Sequence, residues 1–512
     1  MPDNSSNNKR IVKNTLFLYL RMMFVMGVSL YTSRVILEHL GAVDYGLYNV
    51  VGGIVALFTF VSAAMGNSTS RYITYEIGAQ NQYRLNQVFN VALRIHIALA
   101  LIIVILSETV GLWFLCYKMN IPADRFFAAK CVFQVSILTT AISIINVPFY
   151  SSVIAHERMN VYACISIFDV VAKLIVVYLL TISSFDKLIF YALLILIIQI
   201  LDILIYSFYC RFQFREIRLS KQIEKSLLKE MTNFAGWSII GNIAWVGYTQ
   251  GLNILLNLFF GPSINAARAL AVQVQGAVRT FVTNFQIAVN PQITKSYAVG
   301  EISRELKLVF SSSRLSYYLM FCIALPIIIE ADYILNLWLV DVPEYSVVFL
   351  RLILIITLID TIERPMNTAM LATGNIKKYQ IISCSIVLMI IPVSYIALAA
   401  GYPPETVFVC QFVFMLLSAF IEIVMVSKKL DFCMELYIKK VVIKILIVTI
   451  LSSIIPLLLY YSMLENSYSF VVVTLVSILS VGAVSLLFGI EEYEKYYLKK
   501  YIGKILKNNR KN

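Results

Sequence analysis

Apolar residues fill this chain in long continuous runs, separated by short connections that are polar or basic. A run of about 18 or more apolar residues is long enough to cross a bilayer as a helix. Fourteen such helices are placed at 14–37, 45–70, 88–116, 126–150, 161–183, 187–210, 231–260, 263–292, 308–330, 346–371, 379–400, 405–427, 440–461 and 468–490. Membrane barrel strands would alternate apolar and polar residues, and these runs do not. The pattern predicts an all-α polytopic membrane protein. Residues 1–13 are polar and basic, and no small-residue cleavage site closes a short apolar core after them, so the first run is expected to be retained.

Charge orients the helices. With a cytoplasmic N-terminus, the inside segments hold 28 Lys and Arg against 3 outside (Lys118, Arg125 and Lys187), and 11 fall within helices. Such a bias places both termini in the cytoplasm and requires an even helix count. The net charge of +13 then faces anionic inner-leaflet lipid, and no nucleic-acid partner is needed to explain it. The composition agrees, at 60% hydrophobic and 14% charged.

The longest inside connection, RFQFREIRLSKQIEKSLLKE (211–230), reads as a basic amphipathic segment along the membrane surface. It sits at the midpoint of a duplication. VPFYSSVIAHERMNVYACIS (147–166) aligns without a gap with RPMNTAMLATGNIKKYQIIS (364–383), matching Pro148 to Pro365, Ala155 to Ala372, Tyr162 to Tyr379 and Ser166 to Ser383. The sequence TFV recurs at 59–61 and 280–282. The expected organisation is a six-helix bundle at 1–210, a linker at 211–230, a second bundle at 231–430, and two extra helices with a basic tail at 431–512. Six helices per repeat give both copies one orientation, so a pseudo-twofold axis along the membrane normal and a cavity between the bundles are expected.

Several enzyme signatures are absent. The chain has no GxxxxGK[ST] phosphate loop and no HExxH, and its histidines (39, 96 and 156) are scattered. The eight cysteines lack CxxC spacing and read as packing residues. No catalytic residue, metal ligand or cofactor is expected. His156, in AHERM, reads as a solvated loop histidine.

The chemistry lies in eleven helix-interior bases: Arg21, Arg34, Arg71, Arg94, Lys130, Lys173, Arg268, Arg279, Arg314, Arg351 and Arg364. At a helix centre each would cost roughly 3 kcal/mol against lipid, so each must snorkel, pair or face a wet interior. Arg71, Lys130, Arg314 and Arg351 lie near helix ends, where snorkelling suffices. Lys173 follows Asp169 by four residues, Arg364 follows Asp360 by four, and Arg34 precedes Glu38 by four, each a same-face pair. Arg21 lies near the midplane with no acid three or four residues away. Arg268 and Arg279, eleven residues apart, share a helix face that Gln275, Gln286 and Asn290 continue, and Asn242, Thr249 and Asn253 form a second polar stripe. These residues are the candidate cavity lining.

Helix count, duplication and two local segments carry a resemblance. GAVDYGLYNVVGGIVALFTFVSAAMGNSTSRYITYEIG (41–78) and AHERMNVY (155–162) look like the polysaccharide-transporter branch of the multidrug/oligosaccharidyl-lipid/polysaccharide exporter superfamily. That branch includes the Wzx-type O-antigen flippases of the bacterial inner membrane. The resemblance spans nearly the whole chain through diffuse motifs. It implies alternating-access flipping of an undecaprenyl-pyrophosphate-linked oligosaccharide, with membrane lipid and polysaccharide-assembly proteins as further partners. It also implies headgroup binding by Arg21 and Arg268, to which the reading of the helix-interior polar groups adds Arg279, Gln275, Arg34, Asn242 and Asn253 as substrate-binding candidates. Asp360, Glu363 and Asp169 are the coupling candidates.

Similar lipid II flippases bind their headgroup through arginines on the corresponding helices but tend to have an acid after the first one, where this chain has Met22. Lipid II is therefore the runner-up substrate. Multidrug exporters of the superfamily tend to keep acids in the first helix, whereas this one holds bases. A membrane glycan polymerase or acyltransferase is the alternative of a different class. Polymerases usually carry a large outer loop with arginines, and the connection near 331–345 has no Lys or Arg.

Overall fold

The structure, a computed structural model, describes residues 14–29, 31–32, 35, 44, 47–48, 51, 59–117, 121, 123–182, 185–218, 220, 224–260, 262–339, 342–463 and 467–495. All regular structure among these residues is helical. The helices are α1 (Asn14–Ser29), α2 (Thr59–Gly78), α3 (Gln82–Tyr117), α4 (Phe126–Ala155), α5 (Met159–Ile182), α6 (Lys187–Gln213), α7 (Lys225–Phe260), α8 (Pro262–Ala298), α9 (Ile302–Ile329), short α10 (Ala331–Trp338), α11 (Ser346–Ala372), α12 (Lys377–Ala399), α13 (Thr406–Leu430), α14 (Met434–Ser462) and α15 (Ser467–Val484). Ten of them are long and apolar enough to span a membrane. Arg34 and Glu38 lie outside the described residues.

The helices outrun their apolar spans. Asn81 caps α3 by accepting the Arg84 N–H at 3.0 Å, starting that helix six residues before its apolar run. Asp186 caps α6 through the Leu188 and Ile189 N–H groups. Pro148, Pro291, Pro326 and Pro365 lie inside continuous helices. They therefore end no helix, and neighbouring elements must satisfy the carbonyls they free.

The chain forms two compact units, Val12–Ile243 and Ala244–Asn512, with the division falling inside α7. In the first unit, Phe133, Leu180, Leu188 and Ile198 pack α4, α5 and α6 together. Arg125 clamps two chain segments there, pairing with Asp44 and, at 2.5 Å, with Asp186. In the second unit α9 is the hub. Two thirds of its apolar window is buried (67%), against 22–44% for the other spans.

The segment after α6 shows what the basic connection does. Asn86, Asn90 and Arg94 recur every four residues along α3, so they form one row. Asn90 donates to the Arg218 carbonyl at 2.9 Å and accepts the Ser220 N–H at 2.8 Å, while Arg94 donates to the Ser220 carbonyl at 2.7 Å. Phe214 and Ile217 are buried in a cluster with Phe89, Phe149 and Val153. The apolar members of this part of the segment are thus spent on the protein interior, and its backbone is strapped to α3.

His156 is not solvated, contrary to the sequence expectation. Its ring stacks on Phe214 at 3.9 Å, and Nε2 lies 2.8 Å from Glu216. Burial opposes ionisation of Glu216, but hydrogen bonds from His156 and Gln82 outweigh it and hold the carboxyl below its ordinary range. The partner is 60 residues away in the chain, where no local spacing rule reaches. Asn90→Ala should cost about 1–3 kcal/mol, since it leaves buried strap groups unsatisfied. A lowered thermal midpoint with faster proteolysis after Arg218 is the expected result, and an unchanged midpoint would remove the strap's structural role.

Candidate functional site

Arg21 projects from the middle of α1 with no carboxylate on its own helix face. Its guanidinium lies 4.7 Å from the centroid of the Tyr162 ring on α5 and also interacts with Tyr206 on α6. Its Nε is buried without a hydrogen-bond partner. A half-buried cation over an aromatic face gains roughly 0.5–2 kcal/mol, without the neutralisation an acid would bring. The arginine is thus held in place with its charge intact.

The same interior carries an acid pair. Lys173 donates to Asp169 at 2.8 Å, as the spacing predicts. Asp202 on α6 faces Asp169 and is 9% exposed. Tyr206 lies one turn beyond Asp202, so polar groups run from Arg21 through Tyr206 to the Asp169–Asp202–Lys173 group.

In the second unit, Arg268 is 6% exposed and donates through Nη1 to Asn253 on α7. Tyr248 of the same helix faces it. Two predicted residues meet here, and the partner of the guanidinium is neutral. Burial leaves Arg268 Nε without an acceptor.

Arg279 corrects the expectation of an unpaired base. Its Nη2 lies 2.8 Å from Asp360 on α11, and Asp360 also accepts Arg364 Nε at 3.1 Å. Its acid sits on another helix, out of reach of any same-helix spacing. Two guanidiniums nevertheless share one carboxylate, so the group keeps a net positive charge. Trp245 covers it, with its ring centroid 5.6 Å from Arg279.

The polar face of α8 is less open than its pattern implies. Gln275 donates to Thr357 of α11 at 2.6 Å, and buried Gln286 donates to Ser316 of α9 at 3.1 Å. Both serve as interhelical ties, the use of amides common between membrane helices. Asn242 donates to Ser238 of its own helix at 2.9 Å. Glu363 lies on α11 next to Arg364 in sequence but faces Glu422 of α13.

Three of the bases expected to snorkel, Arg351, Arg71 and Arg314, have specific partners instead, while Lys130 stays exposed near its helix end. Arg351 binds the Ile328 carbonyl at 2.9 Å and Asp332 at 2.8 Å, so it caps the C-terminus of α9. Arg71 lies among the rings of Tyr72, Tyr75 and Phe234. Arg314 is fully buried against Glu494. Sequence reasoning missed Tyr162, Tyr206, Asp202 and Glu422 as site residues. The two acids were visible as isolated carboxylates within long apolar runs, a signal worth the same weight as the arginines.

Residues 19–179 match the MatE family. The structure is similar to that of an outward-facing multidrug-resistance MATE transporter of the MOP superfamily, at TM-score 0.69 and 14% identity, over 84% of this chain and 99% of that one. The fold is that of the MATE transporters. A MATE protein in the bent conformation is matched equally well, at TM-score 0.69 and 14% identity over 84% and 98% of the two chains. A MOP-superfamily transporter from Pyrococcus furiosus, described as having a binding pocket of reverse polarity that suggests a different function, is matched at TM-score 0.67 and 15% identity over 82% and 96%. No curated protein matches the sequence. Within the MATE fold, the MatE match contains Arg21, Tyr162 and Asp169, while Arg268, Arg279 and Asp360 lie beyond it.

Proposed function

We propose that this protein is a non-enzymatic flippase of the bacterial inner membrane. It moves an undecaprenyl-pyrophosphate-linked oligosaccharide from the cytoplasmic to the outer leaflet by alternating access. The observation that carries the reading is a cation inside each unit that no acid neutralises: Arg21 held by tyrosine rings in the first, and Arg268 held by a neutral amide in the second. A pyrophosphate must leave water to cross, and its charge needs compensation from groups not already neutralised. Guanidinium forks match phosphate oxygens in geometry as well as charge.

The polarity of these groups supports an anionic cargo over a cationic drug. The Pyrococcus furiosus transporter, described as having a pocket of reverse polarity that suggests a different function, shows that pockets on this fold differ in polarity. In this reading Asn253, beside Arg268, and Arg279, with the surplus charge of its group, would contact sugar hydroxyls or the second phosphate. Both termini are assigned to the cytoplasm by the charge bias.

The purified chain in vesicles should move a labelled undecaprenyl-pyrophosphate oligosaccharide between leaflets and should not export cationic dyes. Dye export without glycolipid movement would establish the multidrug alternative. A preference for a peptide-bearing lipid II headgroup would establish the lipid II flippase.

Asp360 holds two arginines and is the coupling candidate with the most to release. Asp360→Asn should slow glycolipid movement about tenfold or more, equivalent to 1.4 kcal/mol or more on the barrier, at near-normal membrane abundance. Initial rates in the same vesicles decide this. A wild-type rate would remove Asp360 from the cycle.

A further inference from the structure

The second unit carries a tryptophan whose depth in the membrane span calls for a reason. Trp245 lies roughly 30 Å along α7 from Lys225 and roughly 22 Å from Phe260, at about 1.5 Å per residue. Belt tryptophans sit near helix ends, as the exposed Trp113 and Trp338 do at the ends of α3 and α10. Trp245 instead falls within the polar stripe of α7, between Asn242 and Thr249, and it is half-buried.

Its surroundings join a large ring to groups that both donate and accept hydrogen bonds. Arg279 of α8 lies over the indole, 5.6 Å from its centroid, and Tyr248 meets it at a near right angle, 5.1 Å away. Arg279 and Arg364 converge on Asp360 at 2.8 and 3.1 Å. This group is not sealed, since the side chains of Arg279 and Arg364 are 24% and 40% exposed. One turn from Arg279, Gly276 has no atom within 4 Å of where a Cβ would stand. An aromatic surface, a planar polar group and open space thus lie together on α7, α8 and α11.

The arginines of the chain differ in what they can hold. Among the described residues, neither Arg268, which donates to Asn253, nor Arg21, on the Tyr162 ring, pairs with an acid. Each offers its charge to an anion. The Arg279 group includes a carboxylate, which repels a phosphate but accepts from a hydroxyl. A hydroxyl both donates and accepts, so it can bridge Asp360 and a guanidinium, whereas an ionised phosphate oxygen only accepts. The apolar C–H face of a pyranose covers an indole without needing charge, and a few oriented polar groups beside an aromatic wall fix such a ligand. Arg268 and Arg279 lie roughly 16 Å apart along one face of α8, so pyrophosphate and sugar contacts fit on one helix.

We propose that Trp245 is the stacking platform of a sugar subsite in the second unit, where Asp360, Arg279 and Arg364 bind the hydroxyls of the ring it holds and Arg268 takes the pyrophosphate. The subsite rests on the flippase reading above and divides that reading's polar groups between two parts of the cargo.

Binding of two lipids to the full chain in nanodiscs tests the subsite: undecaprenyl pyrophosphate without sugar, and the same lipid carrying one N-acetylglucosamine. The wild type should bind the glycolipid more tightly. Trp245→Leu should weaken glycolipid binding about tenfold and leave binding of the bare lipid unchanged. Trp245→Phe keeps a ring and should retain most of the difference, whereas Arg268→Ala should weaken both lipids alike. In a W113F/W237F/W338F background, the emission of Trp245 should shift with the glycolipid and stay fixed with the bare lipid. Equal losses for both lipids in Trp245→Leu would make the indole a structural cover for Arg279. Equal wild-type affinity for the two lipids would remove the sugar subsite and leave the flippase reading standing. Binding of neither lipid by the wild type would defeat that reading, and the subsite with it.

Discussion

Alanine at Arg21 or at Arg268 should abolish export of the surface glycan while leaving the protein in the membrane at near-normal abundance. The two guanidiniums are anchored without being neutralised. Arg21 rests on the Tyr162 ring, and Arg268 donates to Asn253. Removing either strands no acid partner, so the structural penalty should be small. The functional penalty should be large, because a pyrophosphate inside the bilayer would lose a charge-assisted fork worth roughly 1.5–3 kcal/mol per hydrogen bond.

Lysine at either position should recover only part of the activity. It restores the charge as a point and loses the planar donor pair. Tyr162→Leu should fall between wild type and Arg21→Ala, since it frees the guanidinium without deleting it. Surface glycan measured against protein abundance separates these readings. Loss of abundance in step with loss of glycan would make the arginines structural. Full export by Arg21→Ala at normal abundance would remove that residue from the site.

Arg279→Ala differs in an instructive way. It leaves Asp360 paired with Arg364 and converts a net positive group into a neutral pair. That distinction could not be read from the chain. The i, i+4 rule finds partners on one helix face, and it found Lys173–Asp169 and Arg364–Asp360 correctly. Partners on other helices, Asp360 for Arg279 and Glu216 for His156, depend on how helices pack side by side, which no local spacing encodes.

The helices themselves were legible because bilayer thickness sets a minimum apolar length, and every proposed run has a helical counterpart among the described residues. Their ends were less so. The α8 helix runs on to Ala298, past Pro291 and the end of its apolar stretch, because backbone hydrogen bonding continues where hydropathy falls. The polar stripe of α8 was visible, but whether a polar face meets water or a neighbouring helix is decided by the neighbour. Thr357 and Ser316 supplied the answer for Gln275 and Gln286.

Arg314 shows the same limit with the largest structural consequence. Its position near a helix end suggested snorkelling, yet its side chain is 1% exposed. Nη2 lies 2.7 Å from Glu494, beyond the end of α15, and Nη1 donates to the Lys440 carbonyl at the start of α14 at 2.8 Å. Tyr318 donates to the Gly489 carbonyl at 3.3 Å, and Gly489 has no room for a side chain, since an added Cβ would lie 2.8 Å from that ring. One guanidinium therefore fastens the last two spanning helices to α9, the hub of their unit.

Glu494→Ala should cost about 3–5 kcal/mol, because it leaves a buried guanidinium without its counter-charge. Arg314→Met should cost less, since the stranded Glu494, 13% exposed, keeps its contacts with the Glu491 N–H and the Tyr493 hydroxyl. The double variant should be more stable than the sum of the two losses, the mark of a direct pair. Acid should weaken the clasp as well. Burial resists ionisation of Glu491, but Lys444 at 2.6 Å outweighs it and lowers the carboxyl's range. Its contribution is therefore complete above the ordinary glutamate value of about 4.3 and is lost as pH falls through the lowered folded value. Thermal midpoints of the detergent-solubilised variants measure all three effects. Additive losses in the double variant would show that Arg314 and Glu494 stabilise the unit separately.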